Sequence, residues 1–118
     1  MNFEVIFYKD KNGKDVVSEF LDSLDNKMAS KIIALLDVLE EKGTSLRLPY
    51  SKHLEGDIFE LRCKVGNNIA RLLYFFHKGQ IIIVTNGFVK KTQKTLRAEI
   101  KLAKARRKEW LAKQEKKS

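Results

Sequence analysis

The chain has 118 residues, is 43% apolar and carries 24 Lys and Arg against 15 Asp and Glu, a formal net charge of +9. This length and apolar content predict one folded domain spanning residues 1–118, not a disordered chain. The apolar runs are far below the ~18 residues of a membrane span, the single Cys63 cannot form an internal disulfide, and no signal-peptide pattern opens the sequence, so we expect a cytoplasmic protein.

The first part of the chain predicts one strand followed by two helices. Apolar side chains alternate from Phe3 to Tyr8, which is typical of a strand. Apolar positions then recur at helical spacing from Val16 to Leu24 and from Met28 to Leu39, and Gly43 is a favoured helix terminator. These two helices are close enough in sequence to form a hairpin against one face of a sheet.

The middle of the chain predicts a long connection and then three strands. Residues 44–57 contain the only proline, Pro49, and are predicted to be a loop, and loops of this length are often functional. Three strand-like runs separated by short turns follow: Ile58 to Val65, Ile69 to His77 and Gln80 to Gly87. Turns this short indicate an antiparallel meander.

From Thr95 the pattern is helical to the end, so a basic C-terminal helix and tail should occupy about residues 95–118. The fold class predicted is therefore α+β, in the order β-α-α-β-β-β-α. An antiparallel sheet would carry the helix hairpin on one face and the basic C-terminal helix on the other. Trp110 lies beyond the point where a short packing helix must end, and an exposed aromatic residue there would be a candidate partner contact.

Strand alternation indicates where the chemistry lies. In the first meander strand, Phe59, Leu61, Cys63 and Val65 share the face assigned to the core, and Glu60, Arg62 and Lys64 share the other. The next strand is apolar on both faces and should be central, yet it contains Arg71. A buried, unpaired charge costs several kcal/mol, so Arg71 needs an anionic partner or a place near the open end of its row.

The net charge is confined to the last quarter of the chain. Residues 1–87 contain twelve basic and twelve acidic side chains, whereas residues 88–118 contain twelve basic and three acidic ones. A neutral body that ends in a concentrated cationic segment predicts a polyanionic partner, most simply a nucleic acid.

Four segments together carry a family resemblance: Lys52-His53-Leu54-Glu55-Gly56, Glu60-Leu61-Arg62, Ala70-Arg71-Leu72-Leu73-Tyr74 and Gly87-Phe88-Val89-Lys90-Lys91-Thr92. In this order and spacing they resemble the RelE/ParE superfamily of type II toxin-antitoxin toxins, most closely its HigB-like branch. The resemblance implies a ribosome-dependent mRNA endonuclease, or mRNA interferase, that inhibits translation. It also implies neutralisation by a cognate helix-turn-helix antitoxin, through which alone the toxin reaches operator DNA.

Cleavage of RNA by its own 2′-hydroxyl needs positioning, proton transfer and stabilisation of charge on the phosphorane, and it needs no metal or other cofactor. A guanidinium binds phosphate through two nitrogens, so Arg62 and Arg71 are the predicted phosphate clamp. The other predicted catalytic residues are the cations Lys90 and Lys91 and two proton carriers from the long connection, Lys52 and His53. The predicted substrate-binding residues are Phe88, Thr92 and Lys94.

Structural roles are the competing interpretation of each residue: Arg62 would pair with Glu60, Lys90 and Lys91 would form a solvated strand end, and His53 would be an ordinary surface residue. Two other functions remain open. One is a ParE-like toxin that targets gyrase and has no RNase activity, and the other is a non-catalytic nucleic-acid-binding module that relies on the basic helix. Cys63, His53 and His77 show no recognisable metal-ligand spacing.

Overall fold

The computed structural model describes residues 2–90 and 94–117. The chain order is strand, two helices, four strands and a final helix, which confirms the α+β class. The strands are β1 (Glu4–Phe7), β2 (Ser51–Glu55), β3 (Ile58–Val65), β4 (Asn68–His77) and β5 (Ile81–Lys90). The helices are α1 (Val16–Asp22), α2 (Asn26–Lys42) and α3 (Arg97–Lys117), with a short 3₁₀ helix at Gly43–Ser45. None of the helices in the described ranges is long and apolar enough to cross a membrane.

The five strands form one mixed sheet in the order β1-β5-β4-β3-β2. The meander from β3 to β5 is antiparallel as predicted, and β2 extends it by a further antiparallel strand. Strand β1 pairs with β5 in the parallel direction, so the expectation of a wholly antiparallel sheet is corrected. The reason is the path of the chain: the helix hairpin carries it from β1 at one edge to β2 at the other, and the meander then returns to β1.

Strand β2 lies inside the stretch 44–57 that the sequence predicts to be a loop, which is a second correction. It is an edge strand that pairs antiparallel with β3 and has an irregularity between His53 and Glu55. Edge strands often carry charged and polar side chains because one side of their backbone faces solvent, so the sequence Ser-Lys-His-Leu-Glu lacks a strong strand pattern. Strand β5 also continues past the predicted end at Gly87, as far as Lys90.

The helix ends follow local side-chain chemistry. The carboxylate of Asp15 accepts from the backbone N–H of Ser18, and that of Asp25 accepts from Met28 N–H, each at 2.9 Å. These N-terminal caps satisfy donors that have no partner within the helix. Helix α2 ends at Gly43, whose φ of +50° is a conformation that glycine adopts without strain.

Two cores cover the two faces of the sheet. The face that packs against α1 and α2, here called the hairpin face, holds the larger core and includes Leu61, Cys63 and Leu72, as predicted from strand alternation. The opposite face, here called the α3 face, holds a smaller core that includes Leu73 and Phe75. Strand β4 is thus central and covered on both sides, as expected.

Polar contacts join helix α3 to the sheet at several points along its length. Glu55 binds both Arg97 and Lys104, Asp57 binds Arg107 at 2.9 Å, and the Tyr8 hydroxyl donates to Glu109 at 2.7 Å. Burial, reinforced by the Glu109 carboxylate, raises the pKa of Tyr8 to about 12. These contacts hold the helix over the α3 face along most of its length.

Trp110 belongs to this interface and is not an exposed partner contact, which corrects the expectation from the sequence. Its ring packs edge-on against Phe75 and His77, with centroid separations of 5.9 and 4.9 Å. The packing part of α3 therefore extends further along the chain than the apolar spacing suggests.

Candidate functional site

The pairing register brings cations from separate strands to the α3 face. Lys52 of β2 lies opposite Glu60 of β3, and Arg62 of β3 lies opposite Arg71 of β4. Directly paired residues project to the same side of a sheet. The two arginines predicted to clamp phosphate therefore share one face and stand next to each other.

A β-bulge at Thr85 decides which residues of β5 join this group. Ile83 faces α3, and strict alternation from it would turn Phe88 and Lys90 toward the hairpin face. The ladder between β4 and β5 shifts by one residue at Thr85, so Phe88 pairs directly with Arg71 and Lys90 follows on the same side. The bulge thus gathers an aromatic ring and a further cation around the arginines.

The carboxylate of Glu60 links the two arginines. Its Oε1 lies 3.1 Å from Arg62 Nε, and its Oε2 lies 3.5 Å from Arg71 Nε. The Glu60 and Arg71 side chains are 0% exposed and that of Arg62 is 13% exposed. The expectation that Arg71 needs an anionic partner is confirmed, and so is the pairing of Arg62 with Glu60.

Arg71 is held in an environment that disfavours its charge. Burial is the largest influence and lowers the pKa of Arg71, the Glu60 carboxylate opposes that effect, and the positive charge of Arg62 adds to it. The guanidinium carbon lies 5.6 Å from the centre of the Phe88 ring, within the range of a cation–π contact. Glu60 and Phe88 both stabilise the charge of this fully buried arginine.

The segment just before α3 lies next to the arginine pair and Glu60. The Thr95 hydroxyl donates a hydrogen bond to Glu60 Oε2, so one carboxylate joins three elements of the fold. The Asn86 side-chain amide donates to Glu99 Oε1 at 3.0 Å, which fixes the first turn of α3 to β5. The arginine pair therefore lies where the sheet and the start of α3 meet.

His53 is not brought into this cluster. It pairs with Phe59, and the two rings pack with centroids 4.9 Å apart on the hairpin face. Its Nε2 lies 2.6 Å from the carbonyl oxygen of Gly56. Because neighbouring residues of a strand point to opposite faces, Lys52 reaches the α3 face and His53 does not.

The remaining predicted residues flank the cluster or lie outside the described ranges. Lys94 is exposed and lies just before α3, and Lys90 is half-buried at the end of β5. Lys91 and Thr92 lie outside the residues that the structure describes. The sequence did not indicate Thr95, Asn86 or the central place of Glu60, because each is defined by a contact between distant segments.

The geometry defines a class of protein: a five-stranded mixed sheet with a helix hairpin on one face and an arginine pair beneath a basic C-terminal helix. This is the RelE-like fold. The structure matches a chain of the archaeal RelE–RelB complex from Pyrococcus horikoshii OT3 with a TM-score of 0.53 and 22% sequence identity. The match covers 80% of this chain and 100% of that one.

Sequence comparison is more specific. Residues 19–108 match the family described as "Phage derived protein Gp49-like (DUF891)". The chain is also 32% identical over 99 residues to the proteins named "Probable endoribonuclease HigB1" from the CDC 1551 / Oshkosh and H37Rv strains of Mycobacterium tuberculosis. That alignment covers 84% of this chain and 77% of each relative. The chain therefore belongs to the Gp49-like family, a HigB-like group within the RelE superfamily of toxins, and the resemblance noted from the sequence is confirmed.

Proposed function

We propose that this protein is the toxin of a type II toxin-antitoxin system and cleaves mRNA on the ribosome without a catalytic metal, thereby inhibiting translation. The observation that carries the proposal is the pairing of Arg62 with Arg71 on one face, beside the Phe88 ring. The 32% identity to proteins named probable endoribonucleases supports RNA cleavage as the reaction.

In the proposed reaction the 2′-oxygen of a ribose forms a bond to the adjacent phosphorus, and the bond from phosphorus to the 5′-oxygen of the next nucleotide breaks. Arg62, the more exposed of the two arginines, binds the phosphate and stabilises the charge that develops on it. Arg71 lies beside Arg62 and adds positive potential, as Lys90 does from the end of β5. Lys91 is assigned the same role. The products are a 2′,3′-cyclic phosphate and a 5′-hydroxyl.

Proton transfer is assigned to Lys52, the predicted proton carrier that shares the face of the arginines. Lys52 is exposed and lies opposite Glu60 in the β2–β3 ladder. It would take the proton from the 2′-hydroxyl or return one to the leaving 5′-oxygen. Phe88, Thr92 and Lys94 are assigned to substrate binding, with Phe88 offering a ring on which a base can stack.

The proposal includes partners. The structural relative was solved as a RelE–RelB complex, which supports a cognate antitoxin for this chain. We assign to that antitoxin a helix-turn-helix domain, which would take the complex to operator DNA. The ribosome presents the mRNA, so the site of action is the cytoplasm.

The test uses purified protein, purified ribosomes and a defined mRNA, with transcript ends mapped after incubation. The proposal requires cuts with 5′-hydroxyl ends that depend on ribosomes and fall at least a hundredfold in Arg62→Ala. Lys14→Ala is the matched control, because Lys14 is an exposed cation whose ion-pair partner is Glu19 and which is not among the predicted site residues. Gyrase inhibition without RNA cleavage would instead indicate a ParE-like toxin, and RNA binding without cleavage that survives Arg62→Ala would indicate a non-catalytic module.

A further inference from the structure

A second surface beside the arginine pair has a shape and charge of its own. It is a groove of about 520 Å³ between α2 and the end of β3, here called the α2–β3 groove. The residues that line it include Lys31, Leu35 and Val38 of α2, Tyr50 of the connection, and Arg62 and Lys64 of β3. Positions 31, 35 and 38 follow helical spacing, so one side of α2 forms a continuous wall.

The chemistry of the groove combines an apolar wall with a cationic rim. Leu35 and Val38 supply apolar surface, while Lys31, Arg62 and Lys64 supply three positive charges. None of the described residues that line the groove is acidic. An apolar cleft bordered only by cations suits a ligand that is flat and apolar at its centre and anionic at its edges, which describes a nucleobase with its flanking phosphates.

Tyr50 supplies an accessible ring in this groove. It is 51% exposed, although large aromatic side chains usually bury most of their surface. The carbonyl oxygen of Tyr50 accepts the backbone N–H of Arg62 at 2.8 Å, so the backbone of Tyr50 is fixed directly beside Arg62. A base stacked on Tyr50 would therefore lie next to the phosphate-binding arginine.

The groove and the arginine pair are also connected at the edge of the sheet. Strand β2 begins at Ser51, which pairs with Leu61, so β3 continues beyond β2 from Arg62 onward. Arg62 contributes both to the ion-pair cluster on the α3 face and to the lining of the groove. An extended RNA strand with one phosphate at Arg62 can thus cross this edge and place its neighbouring nucleotide in the groove.

We propose that the α2–β3 groove is a nucleotide subsite in which the base beside the scissile phosphate stacks on Tyr50 and the next phosphate binds Lys31 or Lys64. This inference rests on the proposed RNA cleavage and deepens it. A stack of this kind is tolerant of base identity because every base presents a π face. The subsite would raise the affinity for the substrate RNA and fix the position of the strand in the site, without selecting a base sequence.

The first experiment measures the affinity of a short single-stranded RNA by fluorescence anisotropy at low salt. Tyr50→Ala should weaken binding about tenfold, and Tyr50→Phe should bind as the unchanged protein does because the ring remains. Leu48→Ala is the matched control, since Leu48 is 62% exposed, two residues away, and does not line the groove. Equal affinity of Tyr50→Ala and Leu48→Ala would overturn the proposal.

A second variant tests the cationic rim independently of the tyrosine. In Lys31→Gln combined with Lys64→Gln, the slope of log affinity against log salt should become shallower by about 0.7, the value for one phosphate that is no longer neutralised. An unchanged slope would remove the phosphate half of the proposal. Because both lysines are exposed, this variant retains the fold, as its circular dichroism and unfolding temperature will verify.

The ribosomal cleavage assay separates this inference from the proposed function. Tyr50→Ala should raise KM and leave kcat unchanged, because Tyr50 touches the neighbouring nucleotide and not the reacting atoms. If the unchanged protein makes no cut, the proposed function fails. If it cuts and Tyr50→Ala has the same KM, only the subsite fails. If Tyr50→Ala instead keeps RNA affinity and loses a co-purifying antitoxin, the groove is a peptide site and the inference is wrong.

Discussion

Arg62 and Arg71 face each other across the β3–β4 pair at a position where the two backbones do not hydrogen-bond. The N–H of Arg62 points away from β4 and donates to Tyr50, so this is the pair type in which opposite side chains approach most closely. Two like charges in that arrangement repel each other. Glu60, which lies two residues before Arg62 on the same face of β3, offsets the repulsion by binding both guanidinium groups.

The first prediction concerns the kind of cation at position 62. Arg62→Lys keeps the charge but loses the planar two-nitrogen fork, so cleavage of ribosome-bound mRNA should fall at least tenfold in kcat. The free energy of unfolding should change by less than about 1 kcal/mol, because the side chain is partly exposed and the lysine still meets Glu60. Single-turnover cleavage and urea unfolding measure the two effects, and a lysine variant with full activity would contradict the phosphate role.

The second prediction concerns Glu60 and stability. Glu60→Gln removes the negative charge that pairs with the buried Arg71 and should lower the free energy of unfolding by about 3 kcal/mol. Combining it with Arg71→Met removes both buried charges and should restore most of that loss while leaving cleavage defective. Urea denaturation of the unchanged protein and the two variants gives the comparison. A double variant no more stable than Glu60→Gln would show that the ion pair is not the source of the effect.

The third prediction separates the two candidate proton carriers. His53 packs against Phe59 on the hairpin face, so His53→Gln should leave kcat within about twofold of the unchanged protein. Lys52→Gln lies on the face of the arginines and should reduce kcat by more than tenfold. The pair is matched because the two positions are adjacent on one exposed strand. A large loss of kcat in His53→Gln but not in Lys52→Gln would show that the histidine carries the proton.

The fourth prediction concerns the attachment of α3 and its dependence on pH. Hydrogen bonds from Arg97 and then Lys104 lower the pKa of Glu55 from 4.5 to about 2. The folded-state pKa is depressed, so the stabilisation is present above the unfolded-state pKa and is lost as the pH falls from about 4.5 toward about 2. Glu55→Gln should therefore lower the unfolding temperature near neutral pH, and the difference should vanish in strong acid.

Salt should reduce the Glu55 effect as well, because the groups are partly exposed and screened by ions. Glu41→Gln serves as the control, since Glu41 is an exposed carboxylate near the end of α2. A Glu55→Gln variant with the same unfolding temperature as this control at neutral pH would show that the ion pairs do not hold α3.

The elements of the fold that were predicted correctly are those with strong local sequence patterns. Strand alternation in β3 and β4 and the helical stripes of α1 and α2 were enough to assign both faces, because each of these elements packs against a continuous core. Strand β2 was missed since an edge strand lacks that constraint. The parallel pairing of β1 was missed because it depends on the path of the whole chain.

The candidate site was predictable only as a set of residue types. Arg62 and Arg71 were predicted to act together from their chemistry and the family resemblance, whereas the register that places them side by side was seen only in the structure. The separation of Lys52 from His53 required knowing that their segment is a strand. Thr95 and Glu60 are 35 positions apart, and no local pattern signals their contact.

The bulge at Thr85 makes the site sensitive to chain length. Thr85 is the extra residue of the ladder, so deleting it would leave Asn86 opposite Leu73 and Phe88 opposite Arg71. If the strand kept all its residues and paired without the bulge, Phe88 and Lys90 would exchange sides with Gly87 and Val89, and the arginines would lose their aromatic neighbour. In this protein the count of residues along the last strand is therefore as much a determinant of the site as their identity.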